Sequence, residues 1–211
     1  MTNNYNLIVD TSRKGISMAL CSDSTYEEIV DPSAKGETLS ASLDSLLAKV
    51  GATLDNVQRV MVTIGPGSFS GLRTGVAFCQ GLCFSGKRKL YGATTLQALA
   101  CLAGKTDEQV AVVIRARNGF WYLRLNNEEL FIETAEVVAR LQASSVKNAV
   151  VDQAALADES LVAVFKDKGI ETTLDIGKPL SLWSPLFETV KPSLIQEANY
   201  IQPSYFEKLK V

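Results

Sequence analysis

The sequence predicts an α/β protein of two lobes, each a mixed sheet flanked by helices, with the second lobe reduced. Three observations carry this reading. The stretches "IVDTSRKGISMALCSD" (8–23) and "VIRARNGFWYLRLNN" (113–127) share one architecture, a strand, a turn and a returning strand. Each opens a three-stranded meander followed by helices, which makes an internal repeat. After residue 135 the hydrophobic periodicity weakens, so the second copy is shorter and less regular. The lobes are expected at 1–105 and 106–211.

Each element has a local reason. "NLIVDTS", "ISMALCSD" and "STYEEIV" are apolar, β-rich runs separated by turn residues. Thr38–Val50 reads as a helix with Leu39, Leu43, Leu46, Leu47 and Val50 on one stripe, and Gly51 stands where a helix ends. "RVMVTI" is a strand and a helix is expected from about Ser70 to Ser85. "KLYGAT" gives a short strand, and Thr95 is placed to cap "LQALACLA" before Gly104. In the second half "VAVVIRA", "FWYLRL" and "EELFIE" are strands, joined by turns at Asn118-Gly119 and Asn126-Asn127. "AEVVARLQ" reads as a helix, "NAVVDQ" as a buried strand, and "ESLVAVFKDKG" as a helix ended by Gly169. "SPLFETVKPSLIQEA" has a helical pattern interrupted at Pro192.

Composition removes whole classes of chemistry. The 211 residues include no histidine, which excludes His-based metal sites, Ser-His-Asp triads and His general bases. The four cysteines (Cys21, Cys79, Cys83, Cys101) form no CxxC pair and sit in apolar surroundings, as buried small hydrophobes in a reducing compartment do. "MTNNYNLIVD" lacks the basic region and apolar run of a signal peptide, and no apolar run has membrane-spanning length, so a cytoplasmic protein is expected. The net charge of −2 hides a segment, Asn56–Thr106, that holds six cations and no acid. Within it, Lys87-Arg88-Lys89 reads as a solvated turn or as a contact for RNA phosphate or an acidic partner.

"IGPGSFSGLRTG" (64–75) places four glycines and a proline between a strand and a helix. A phosphate-binding GxxxxGK[ST] loop fails on spacing and on the missing lysine. A GxSxG nucleophile elbow fails by one register, and no histidine is present to activate Ser68 or Ser70. Gly71 and Gly75 form a small-residue pair one turn apart, extended by Cys79. A glycine in a helix interior costs about 1 kcal/mol relative to alanine. Close packing is the expected compensation, either against the helix's own sheet or against a partner helix.

"GPGSFSGLRTGVAFCQGL" closely resembles the signature of the bacterial TsaB (YeaZ) family. The resemblance continues in "LIVDTS", "GETLSASLDSLL" and "RARNGFWYL". It implies a fold of the actin, sugar-kinase and Hsp70 type, built on an RNase H-like repeat. It also implies a non-catalytic dimerisation subunit in threonylcarbamoyladenosine formation on tRNA, paired with the paralogous TsaD, joined by the TsaE ATPase and served by TsaC. Carried over by position, the interface comprises Leu39, Leu43 and Leu46 with Gly71, Leu72, Gly75, Phe78 and Leu82. A homodimer through the same helices is expected when the partner is absent, and contact with tRNA is expected to be indirect or weak. No cofactor is expected on this chain alone; ATP and a metal ion belong to the assembled complex.

Three departures from the family pattern stand out: Ser70 replaces a threonine, Lys35 a histidine and Arg115 an aspartate. The last puts a cation where an actin-like ATPase wants a carboxylate. The competing reading is an independent actin-like ATPase or kinase, with Asp10, Thr11 and Ser12 as candidate nucleotide contacts. A peptidase has neither triad nor metal site. Trp121-Tyr122 reads as a packed strand face, with base stacking as the alternative.

Overall fold

The computed structural model describes residues 4–104 and 109–201. Near-continuous apolar runs, buried on both faces in β1, β2 and β4, build the first sheet from β1 (Tyr5–Asp10), β2 (Ile16–Cys21), β3 (Tyr26–Asp31), β4 (Val57–Thr63) and β5 (Lys89–Ala93), in the order β3-β2-β1-β4-β5. β1 is antiparallel to β2 and parallel to β4. Two helices cover one face: α1 (Leu39–Lys49), entered through a 3₁₀ turn at Gly36–Thr38, and α2 (Phe69–Cys83). Leu7 and Val9 of β1 and Val60 and Val62 of β4 share a core with Leu39, Leu43, Leu46 and Leu47 of α1 and Val76, Cys79 and Cys83 of α2. Period two in the strands meets period 3.6 in the helices along this plane.

The second sheet repeats the first. It is built from β6 (Val110–Arg117), β7 (Phe120–Leu125), β8 (Glu128–Glu133), β9 (Asn148–Val151) and β10 (Glu171–Leu174), in the order β10-β9-β6-β7-β8. β6–β7 and β7–β8 are antiparallel, and β6–β9 and β9–β10 are parallel, as in the first sheet. The meander repeat expected from sequence is therefore a repeat of topology, and β9 and β10 are four residues each, against seven and five for β4 and β5. α3 (Thr95–Ala100) follows β5, α4 (Thr134–Ala143) follows β8, and α5 (Gln153–Leu156) and α6 (Glu159–Lys168) separate β9 from β10. α4 and α6 bury Val137, Leu141, Leu161, Val164 and Phe165 against Trp121 and Leu123 of β7. β10 and α5 were not anticipated; four-residue elements are too short to show a period.

The compact units are Met1–Thr95 with Pro179–Asn199, and a second centred on Leu96–Lys178. The boundary expected at residue 105 thus moves to Thr95, and the chain returns to the first unit for 21 residues beginning at Pro179. The return has a physical cause. Leu180, Trp183, Leu186 and Phe187 are buried, and Phe187 packs edge-on against Tyr91 with ring centroids 5.1 Å apart. Tyr91 pairs with Met61 on the sheet face opposite α1 and α2. The helix expected over 184–198 shrinks to α7 (Leu186–Thr189). Beyond it the backbone is used otherwise: Ser193 N–H donates to the Leu90 carbonyl (2.8 Å), and Asn199 N–H to that of Ile64 (2.6 Å).

Candidate functional site

The glycine loop and α2 are built on the end of β1. Asp10 Oδ1 accepts from Ser12 N–H (2.9 Å), Ser12 Oγ (2.6 Å) and Thr63 Oγ1 (2.7 Å), which ties the ends of β1 and β4 together. Ser12 in turn offers its carbonyl to Ser68 N–H at 2.7 Å. Ser68 then caps α2, its Oγ accepting from Gly71 N–H (3.3 Å) and its carbonyl from Leu72 N–H (2.9 Å). On the other side, the Gly65 carbonyl accepts from Thr95 N–H at 2.7 Å.

The glycines are explained by what they touch. A Cβ at Gly67 would overlap the Ser12 carbonyl, one at Gly71 the Thr11 carbonyl, and one at Gly75 the Thr11 hydroxyl. Of the two packing modes open to the sequence, the loop and α2 use the first: they lie directly on their own sheet. The same geometry places the candidate nucleotide contacts. Asp10, Thr11 and Ser12 are buried, and Asp10 Oδ1 accepts from Ser12 and Thr63.

The carried-over interface residues need correction. Leu39, Leu43, Leu46 and Leu72 are buried in this chain's own unit, and Gly75 is buried against Thr11. Gly71, Phe78 and Leu82 are half-buried, with Phe78 and Leu82 packed on the core. The apolar stripe of an amphipathic helix is the stripe facing its own sheet, so the positions carried over by the resemblance lie mainly on the inner sides of α1 and α2. The outward face of α2 is instead Ser70, Arg73, Thr74, Ala77 and Gly81, flanked by Phe69 and Phe84 at 55% and 80% exposure. The Arg73 guanidinium lies 3.9 Å from the Phe69 ring centroid. On α1 the matching face is Ala41, Asp44, Ser45 and Ala48. The 3.6-residue period already separates these two faces, and it is the sign that could have found them.

Several other sequence candidates resolve into structural roles. Arg88 is buried and donates to the carbonyls of Leu54 (2.7 Å) and Leu82 (3.2 Å), so only Lys87 and Lys89 of that basic run face solvent. Trp121 is buried and its Nε1–H donates to Thr134 Oγ1 at 2.8 Å, as a packed strand face requires. Arg115 donates its backbone N–H to Asp152 Oδ2 (2.7 Å), while its guanidinium lies 5.0 Å from the Trp121 ring. Burial pushes the Cys21 and Cys83 thiols up to about 11 and the Cys79 thiol well above its ordinary value, which keeps all three protonated and inert at neutral pH. Among the described residues no group of three or more acidic or cysteine side chains is placed to hold a metal, and no helix is long and apolar enough to cross a membrane.

Comparison with known proteins adds a second line. Residues 33–175 match the family model described as TsaD, tRNA N6-adenosine threonylcarbamoyltransferase. The curated "tRNA threonylcarbamoyladenosine biosynthesis protein TsaB" of Escherichia coli K12 is 28% identical over 142 residues, covering 64% of this chain and 62% of its own length. The alignments span 49% to 62% of the length of the curated relatives matched. The solved structure of YeaZ from Pseudomonas aeruginosa shares the fold, with a TM-score of 0.65 at 22% identity, over 88% of this chain and 93% of that one. The fold extends to a ROK hexokinase from Thermus thermophilus, with a TM-score of 0.51 at 11% identity over 88% and 98% of the two chains. The chain thus shares its fold with YeaZ and with a ROK sugar kinase.

Proposed function

Since the chain belongs to the TsaB (YeaZ) family, we propose that it is a non-catalytic subunit in threonylcarbamoyladenosine formation on tRNA, and that it pairs with the paralogous TsaD through the outward faces of α1 and α2. One observation carries the pairing. Thr74, Ala77 and Gly81 give α2 a thin outward surface between the exposed rings of Phe69 and Phe84. The solvent face of α1, lined by Ala41, Ser45 and Ala48, covers the same side of the sheet. Small residues let a partner helix approach closely, and the flanking aromatics supply apolar area. The absence of histidine from the sequence supports a role without catalysis. TsaE and TsaC complete the system in this reading, ATP and metal belong to the assembly, and the setting is cytoplasmic.

The test is transfer of threonylcarbamoyl to tRNA by cognate TsaC, TsaD and TsaE, with and without this chain. Modification that requires the chain, and that fails with Gly81→Leu, supports both role and surface. Transfer that proceeds equally well without it overturns the role.

A further inference from the structure

Residues 193–196, near the end of the segment that returns to the first unit, form a turn tied to both β5 and α2. Ser193 N–H donates to the Leu90 carbonyl of β5 (2.8 Å). The Gln196 side chain lies so close to Gly92 that a Cβ there would overlap its Oε1. From α2, Gln80 Nε2 donates to the carbonyls of Leu194 (3.2 Å) and Gln196 (3.4 Å). The other two carbonyls are taken within the turn: Gln196 Nε2 donates to that of Ser193 (2.8 Å) and Ser193 Oγ to that of Ile195 (3.0 Å).

With all four carbonyls engaged, the turn holds its two apolar side chains outward. Ile195 is 74% exposed and Leu194 43%. Phe84 and Ile195 are the two most exposed large apolar side chains among the described residues. Gln80 connects them, since it stands one helical turn before Phe84 and bonds the carbonyl that precedes Ile195. Exposed apolar side chains gathered in one place mark an interaction site.

The rim of this patch is cationic. Lys87, Lys89 and Lys191 are exposed, and no acidic residue occurs in 84–93 or 190–196. Lys87 reaches Asp55 at 3.5 Å, while Lys89 and Lys191 have no ion-pair partner among the described residues. An apolar centre with a rim of one sign is complemented by a protein face of apolar side chains edged with the opposite charge. The patch is also continuous with the outward face of α2, because Phe84 belongs to both.

We propose that residues 193–196 form a third part of the pairing surface, beside the outward faces of α1 and α2, and that the partner covers Phe84, Leu194 and Ile195 with apolar side chains edged by carboxylates. This rests on the pairing with TsaD proposed above.

The test is sedimentation velocity of the full chain with cognate TsaD over a series of concentrations. The proteins compared are the parent, Gly81→Leu, Leu194→Ser/Ile195→Ser, Ile195→Lys and Ile195→Glu. The altered positions are exposed, so each variant should keep the parental melting curve. The double serine variant is expected to bind at least tenfold more weakly than the parent. Ile195→Glu should bind at least threefold more weakly than Ile195→Lys, because it sets a carboxylate against carboxylates. Unchanged affinity in the double variant, with binding lost in Gly81→Leu, overturns the part given to the turn and leaves the pairing itself standing. No association of the parent overturns both. Ile195→Glu binding as well as Ile195→Lys overturns the carboxylate-edged partner. A homodimer, or binding to phosphatidylserine–phosphatidylcholine vesicles, that is lost in the double variant while TsaD binding persists overturns the proposal and assigns the patch to a second copy or to a lipid surface.

Discussion

Gly75 packs so closely on Thr11 that a methyl group on its Cα would occupy the space of the Thr11 hydroxyl. That hydroxyl is buried and makes no hydrogen bond. Two costs, a helix-interior glycine and an unpaired hydroxyl, coexist because β1 and α2 must touch here. Gly75→Ala is expected to lose about 1–3 kcal/mol by overpacking, beyond the ~1 kcal/mol gained in helix propensity. Thr11→Ala should be close to neutral alone and should restore most of the loss in the double variant. Urea unfolding of the four proteins measures this coupling directly.

The proposed interaction surface must be tested at positions with room. A Cβ at Gly81 meets nothing within 4 Å, and Ala77 is exposed. Gly81→Leu and Ala77→Arg should therefore leave the unfolding midpoint near that of the parent while weakening association with TsaD at least tenfold. Sedimentation velocity on mixtures reads the association. Retained assembly by both variants would place the partner elsewhere on the chain.

Arg88 predicts a split within one basic run. Arg88→Ala leaves the Leu54 and Leu82 carbonyls without their donor and should cost about 1–3 kcal/mol. Lys87→Ala and Lys89→Ala, both on exposed side chains, should each stay within about 0.5 kcal/mol of the parent. Denaturant midpoints of the three variants decide it.

The thiols make a pH prediction with a definite sign. Burial raises the folded pKa of Cys21 and Cys83 from 9.0 to about 11. A raised folded pKa gives stability that is complete below pH 9 and is lost as pH climbs through 11. Melting temperature should fall across that window, and less steeply in Cys21→Ala/Cys83→Ala. At pH 8 a thiol reagent should modify the half-exposed Cys101 first and reach the other three only on unfolding.

The segment that returns to the first unit gives the largest expected effect. Phe187 carries the contact with Tyr91 and lies under the Arg59 guanidinium, 4.8 Å from its ring centroid. Phe187→Ala should cost about 3–5 kcal/mol. Amide exchange in β4 and β5 should accelerate before that in β6 and β7.

What could be read from the chain follows from which forces act locally. The meanders were visible because alternation and turn residues such as Asn118-Gly119 are properties of adjacent positions. The sheet order confirms them as a repeat. Leu39, Leu43 and Leu46 were correctly seen as one stripe, yet hydrophobicity does not say whether a stripe meets its own sheet or another protein. Gly75 posed the same question, and only the position of Thr11, 64 residues earlier in the chain, answers it. The stretch around Pro192 misled for a related reason. Its helical pattern is overridden by the backbone bonds it makes to Leu90 and Ile64. The apolar turn at 193–196 was out of reach of motif reading, because Gln80 and Leu194 meet only through tertiary contact.

The re-entry of Pro179–Asn199 into the first unit also sets an order of events during synthesis. A ribosome adds about 5–20 residues per second. The roughly 80 intervening residues therefore separate β5 from its covering segment by about 4–16 s. Throughout that interval Tyr91 of the nascent first sheet is without Phe187, the side chain that packs on it in the finished fold. Its uncovered ring is an apolar surface of the kind that chaperones hold, and slowing elongation between codons 96 and 178 would lengthen its exposure.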